Sequence, residues 1–288
     1  MADIEEKPVD LYIGCGDRRL NELFDSYEGN IIFIRNAAGN LKTLEKTIEN
    51  KVRENVKRDG TSNIRKIKIF GHTDCGALGI ALGNIMGIEQ VSIQMREKLV
   101  TQYADFKVDY ELSREENARR LEEFHVMKQK SNAKELLSRI HAATGIDTTK
   151  ISIESALLQT HKHDKTEEQQ NCNKGDYVAI VGDPIPIPNY LNIAAQANVN
   201  PYSMYCFNVD REECAGGLEI FAKLGVKVFL VTYQDENDLP QMSNRLIQVE
   251  EAIKSVRKDA QISPLKIDEI KGQLRTQKRT SEVKLRVV

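Results

Sequence analysis

Two short apolar runs, Leu11–Ile13 and Ile67–Phe70, each stop at a glycine, and soft metal-ligating side chains follow at once. The first passes through Gly14 into Cys15-Gly16-Asp17-Arg18-Arg19, the second through Gly71 into His72-Thr73-Asp74-Cys75-Gly76. Runs of this length read as buried strands, and a glycine at the end of one marks a turn. Cys15, His72 and Cys75 together offer two thiols and one imidazole. Three protein ligands with a fourth position left over is the donor set of a catalytic zinc site, whereas structural zinc normally takes four. One Zn2+ per chain is therefore the expected cofactor.

The rest of the chain alternates strand-like and helix-like patterns. Residues 10–14 and Ile31–Ile34 read as the first two strands, the second ending in Arg35-Asn36-Ala37-Ala38-Gly39-Asn40, a tight loop. Leu41, Leu44, Ile48, Val52 and Val56 recur at helical spacing, with Asn40 as N-cap and Gly60 beyond the end. Ile67–Gly71 is the third strand, and the small, apolar residues 76–87 suit a helix packed closely on a sheet. Ser113 and Glu116 form a capping-box pattern for a helical stretch through Leu121, Phe124, Leu136, Leu137 and Ile140 to Gly145, and a further short helix is expected at 151–161. Strand-like runs return at 177–182, 204–209 and 226–232. A helix capped by Asp210 and Glu213 runs through Leu218, Phe221 and Leu224, and another carries Met242, Leu246, Val249, Ile253 and Val256. The tail from Asp259 is polar with little periodicity and is expected to be partly disordered or packed on a partner.

This pattern predicts an α/β fold with a mainly parallel central sheet and helices on both faces. Residues 1–95 and 176–235 would form a discontinuous core, 96–175 a helical insertion, and 236–288 a C-terminal helix and polar tail. In such a sheet ligands bind beyond the carboxyl ends of the strands, where Cys15, His72 and Cys75 lie, so neighbouring first and third strands would bring the three together.

Composition narrows the classes of function. A net charge of −2 offers no global attraction to nucleic acid or anionic membrane, and no run approaches the length needed to cross a bilayer. The acidic N-terminus lacks the apolar core of a secretory signal. Five scattered cysteines form no disulfide framework, which suggests a reducing cytoplasm that keeps Cys15 and Cys75 available as thiolates. Gly14 and Gly16 lack the third glycine of a dinucleotide fingerprint. His161, His163 and Cys172 fit no standard zinc spacing and read as a solvated loop, while Cys206 and Cys214 read as packing residues.

Cys-x-Asp-x-Arg, then Arg-Asn-Ala-x-Gly-Asn, then Gly-His-Thr-Asp-Cys-Gly resemble the three signature motifs of the β-class carbonic anhydrases, in order and at similar spacing over about residues 10–80. That resemblance implies a β-carbonic-anhydrase-like fold and zinc held by Cys15, His72 and Cys75. It further implies reversible hydration of CO2 to bicarbonate by a zinc-bound hydroxide. Asp17 and Arg19 would be the catalytic pair, Arg19 orienting the Asp17 carboxylate so that it accepts the hydroxide proton. In an inactive resting form Asp17 would itself be the fourth ligand. Arg35, Asn36, Gly39 and Gly76 would shape the site, and the resemblance implies a homodimer or higher homo-oligomer. Arg18 stands where the family commonly has a small hydroxyl residue, and the Arg-Asn-Ala-Gly loop carries one extra alanine. The segment before the fourth strand is long, and 181–186 lacks the family's familiar sequence. Hydrolysis of COS or CS2 on the same zinc site stays open as an alternative, as does a zinc-binding regulatory protein without turnover.

Overall fold

The structure, a computed structural model, describes residues 7–17, 19–21, 29–88, 101–160, 178–197, 204–208, 218, 222, 226–233, 239–254, 257–266 and 285–287. In its first part the strands are β1 (Val9–Cys15), β2 (Asn30–Asn36), β3 (Ile64–His72) and β4 (Ser152–Leu158). Helices α1 (Glu45–Glu54), α2 (Gly76–Ile85) and α3 (Arg114–Thr144) connect them. The second part holds β5 (Val178–Gly182), β6 (Ile185–Pro186), α4 (Ile187–Gln196), β7 (Met204–Asn208), β8 (Val228–Tyr233), α5 (Leu239–Lys254), β9 (Gln261–Lys266) and β10 (Leu285–Val287).

The α/β expectation holds, with two parallel sheets in place of one. The first has the order β10-β4-β3-β1-β2-β6, in which β1 to β4 are parallel and the short edges β10 and β6 antiparallel; the second is the all-parallel β7-β5-β8-β9. Alternation along each strand divides the side chains between two faces. Leu11, Ile13, Ile34, Ile67 and Ile69 pack under Leu44, Ile48 and Val52 beside α1 and under Leu136 and Ile140 of α3. Tyr12, Phe33 and Phe70 face the other way, onto Ala77, Leu78 and Ala81 of α2 and onto Val178, Ile180, Met204 and Cys206 of the second sheet. The outer face of that sheet packs on Leu218, Ala222, Val249 and Ile253. No helix among the described residues is long and apolar enough to cross a membrane.

The punctuation read from sequence is where the helices begin and end. Asn40 Oδ1 accepts from Lys42 N at 3.1 Å, opening a 3-10 turn that runs into α1. Ser113 and Glu116 close their capping box, and Gly145, at φ 73°, stops α3 after 31 residues. The segment 151–161, expected to be helical, is instead strand β4, hydrogen-bonded between β3 and β10. Its buried Ala156, Leu157 and Leu158 form the unbroken apolar run of an interior parallel strand, which over so few residues has the same pattern as a buried helix. The block read as a helical insertion thus adds a strand to the site-bearing sheet. The polar tail likewise contributes β9 and β10: β9 is a largely exposed edge strand held by its backbone ladder to β8, with Ile262 and Leu265 partly buried against the cores. The helix expected over 210–225 lies outside the described residues except for Leu218 and Ala222, both helical and buried. His161, His163, Cys172 and Cys214 also lie outside them, whereas Cys206 is fully buried as expected.

α3 can cross the end of β3 because Gly71 has no side chain: a Cβ there would stand 2.3 Å from Val126 Cγ2. Valine is stiff about χ1 and cannot swing aside. Gly71→Ala should therefore lower the stability of the chain by about 1–3 kcal/mol, measured by denaturant unfolding. Adding Val126→Ala should recover part of that loss; a Gly71→Ala chain as stable as the parent would contradict the packing.

Candidate metal centre

β1 and β3 are paired neighbours running the same way, with Gly14 opposite Phe70. Their carboxyl ends therefore deliver Cys15 and His72 side by side, and one further turn of chain adds Cys75. Asp74 makes that turn in the left-handed region at φ 54°, and Cys75 then precedes Gly76, the first residue of α2. The Sγ atoms of Cys15 and Cys75, with one ring nitrogen of His72, all lie within 4.8 Å of one another, and all three residues are buried. The two sulfurs are 3.8 Å apart. A tetrahedral ion with bonds of about 2.3 Å to sulfur requires the same separation, about 3.8 Å.

His72 is prepared for such an ion. Its Nδ1 lies 3.0 Å from the Thr73 carbonyl, which accepts a hydrogen bond from Nδ1–H and so favours the tautomer whose Nε2 carries the lone pair. Among the described residues the buried Nε2 has no hydrogen-bond partner. The cluster's own electrostatics call for positive charge: a hydrogen bond from Cys75 holds the Cys15 thiol well below its ordinary range. Burial opposes protonation of the His72 ring, but Cys15 and Asp17 outweigh it and raise its pKa. The donor set fits a soft divalent cation.

Asp17 and Arg19 form the predicted pair beside it. Arg19 donates from its backbone N and from Nε to Asp17 Oδ1, at 3.0 and 3.1 Å, and from Nη2 to Oδ2 at 2.8 Å. Asp17 Oδ2 lies 3.9 Å from His72 Nε2. Burial would raise the Asp17 carboxyl, yet His72 and Arg19 outweigh it and hold it well below the usual carboxylate range. Arg19 is fixed in turn by the Asp74 carbonyl, at 2.7 Å from Nη2, and by Thr160 Oγ1, at 3.2 Å from Nη1. Thr160 also clamps the ligand turn, donating to the Thr73 carbonyl at 2.7 Å.

The residues expected to shape the site lie under it. Fully buried Arg35 donates from Nε to the Cys15 carbonyl at 3.0 Å, and from its two terminal nitrogens to Asn21 Oδ1 and the Asp17 carbonyl. Asn36 ties its own loop together, donating to the Asn40 carbonyl at 2.9 Å and accepting from Asn40 N at 2.7 Å. Gly39, at φ 73°, presses on β1: a Cβ would stand 2.9 Å from the Gly14 carbonyl carbon. In the same loop Ala38 turns through φ 62°, and His125 of α3 donates from Nε2 to its carbonyl at 2.8 Å while Nδ1 accepts from Tyr103 Oη at 2.8 Å. Glu122, also on α3, accepts from Cys75 N at 3.2 Å. Burial pushes its carboxyl up to about 7 despite that bond. Thr160, Glu122 and His125 escaped the sequence reading because each follows its ligand motif by dozens of residues, inside patterns that read as ordinary helix or loop.

A family model described as carbonic anhydrase matches residues 10–166, more than half of the chain and all three candidate ligands. The chain belongs to the β-carbonic anhydrase family. Among solved structures, the β-carbonic anhydrase CafA of the fungal pathogen Aspergillus fumigatus is similar at 23% identity, over 57% of this chain and 80% of that one, with a TM-score of 0.33. No curated protein matches the chain. The extra alanine that departs from the family's loop is Ala37 or Ala38, and in this member α3 holds the loop through His125.

Burial depresses the His125 ring from 6.5 to about 4, so the unfolded chain binds a proton that the folded chain refuses. The stability this contributes is complete above pH 6.5 and lost as pH falls toward 4, amounting to about 3 kcal/mol. Unfolding curves across that window should slope accordingly, and His125→Gln should flatten them. An unchanged slope in the variant would contradict a neutral, buried His125.

Proposed function

We propose that this chain catalyses the reversible hydration of CO2 to bicarbonate at a single zinc ion held by Cys15, His72 and Cys75. The observation that carries this reading is the convergence of buried His72 Nε2, without a hydrogen-bond partner among the described residues, on two thiols at tetrahedral separation, with a fixed carboxylate beside them. When bound, zinc supplies a Lewis acid that makes a water molecule acidic enough to attack CO2 near neutral pH.

The protein's own residues do the rest. Two thiolates cancel the charge of a divalent cation, so the site depends on neighbouring groups to direct the attack. Asp17 supplies that direction. Bound at both oxygens by Arg19, it stays an acceptor-only carboxylate, so it orients the attacking water by taking a hydrogen bond and does not keep the proton. Arg19 holds both carboxylate oxygens, and Thr160 and the Asp74 carbonyl hold Arg19, so the direction is set before substrate arrives. Entry of Asp17 into the fourth ligand position, the inactive resting form, would require these bonds to Arg19 to break. The need for reduced thiols at Cys15 and Cys75 supports a reducing compartment such as the cytoplasm.

Asp17→Asn should keep one zinc per chain while lowering stopped-flow CO2 hydration by at least about tenfold. The parent rate should rise from pH 6.5 to 9. A variant at the full rate, or a flat parent profile, would count against the proposal.

A further inference from the structure

The second sheet repeats the first. Taken in chain order, the four parallel strands of each lie second-first-third-fourth: β2-β1-β3-β4 and β7-β5-β8-β9. In both halves a helix, α3 or α5, leads into the fourth strand. When Cys15-Gly16-Asp17 is laid on Val181-Gly182-Asp183, the paired registers carry Phe33 onto Met204, Phe70 onto Leu230 and Leu158 onto Leu265. All six of these side chains face the core shared by the two sheets. The alternate positions also agree: Ile13, Ile34 and Ile69 fall on Ala179, Tyr205 and Phe229, in the two outer cores.

Two ligand positions are changed in the repeat. Val181 stands for Cys15, and Thr232 stands for His72. Thr232 Oγ1 turns inward and donates to the Val181 carbonyl at 3.3 Å, and it fills the space that a side chain at Gly182 would need. Neither a thiol nor an imidazole remains at those two positions.

The halves meet along β2 and β7 in a nearly two-fold manner. Cys206 N donates to the Gly16 carbonyl at 3.0 Å. The reciprocal pair is Arg35 N and the Gly182 carbonyl. There the Asn208 amide is inserted, Oδ1 accepting from Arg35 N at 2.5 Å and Nδ2 donating to Gly182 O at 3.0 Å. Arg35 is the side chain that holds the Cys15 and Asp17 carbonyls, so Asn208 is one residue removed from a ligand.

We propose that residues 178–266 are a metal-free copy of the site-bearing unit, retained as its in-chain partner, with Asn208 as the positioning residue through which that partner braces the metal site. The repeat stands on strand order and register alone; the bracing role rests on the zinc reading above. Zinc titration of the full chain against a chromophoric chelator should saturate at one equivalent. Asn208→Ala should weaken zinc about tenfold and shift the visible d–d bands of the Co2+-loaded chain. Asn208→Asp, which keeps the acceptor for Arg35 N–H, should restore most of the affinity. Thr232→Val, in the same unit but on the side without ligands, should lower the melting temperature and leave zinc affinity and the Co2+ spectrum unchanged. Parent affinity and spectrum in Asn208→Ala would overturn the bracing role, and two tightly bound equivalents per parent chain would overturn the metal-free copy. A parent chain that binds no zinc would overturn the zinc reading and the bracing role with it.

Discussion

Parallel pairing of β1 with β3 is the constraint from which the rest of the site follows. Adjacent strands lie about 4.8 Å apart, so two side chains leaving neighbouring carboxyl ends are already within reach of a common ion. Cys15 and His72 leave from those ends, and the left-handed turn at Asp74 returns Cys75 to the same point. Nothing further is needed to gather three candidate ligands from separate stretches of the chain. The 3.8 Å between the two sulfurs is the outcome.

Strand ends alone would leave the turns loose, and the surrounding polar network removes that freedom. Arg35 holds the first turn from below through the Cys15 and Asp17 carbonyls, and Thr160 holds the second through the Thr73 carbonyl. Arg19 joins the two turns, binding the Asp17 carboxylate on one side and the Asp74 carbonyl on the other. The buried charge of Arg35 and the half-buried charge of Arg19 are tolerable because their donors are met by carbonyl, carboxylate, amide or hydroxyl oxygens. The long helix α3 closes the arrangement from above through Glu122 and His125. Each candidate ligand thus sits on or beside backbone that a second element holds.

Much of this was legible in the sequence, because the site-bearing strands are short apolar runs ended by glycines, and the ligands follow those glycines directly. The capping box at Ser113 and Glu116 and the stop at Gly145 marked α3 in the same way. Strand β4 was not legible: Ile151 to Leu158 is too brief for its period to separate strand from helix, and only pairing with β3 decides it. Strands β9 and β10 carry little apolar signal, since edge strands draw their order from backbone ladders. The roles of Thr160, His125 and Asn208 depend on which strand or loop each one packs against. The second sheet hid its kinship with the first because matching positions share a face more often than an identity, as Phe33 and Met204 do.

The central claim is that two sulfurs and one imidazole nitrogen bind the same zinc ion. X-ray absorption at the zinc edge of the metal-loaded chain tests it most directly. The account predicts two sulfur neighbours at about 2.3 Å and lighter atoms, one of them an imidazole nitrogen, at about 2.0–2.1 Å. A first shell of nitrogen and oxygen alone, or one unchanged when Cys15 is replaced by serine, would contradict it.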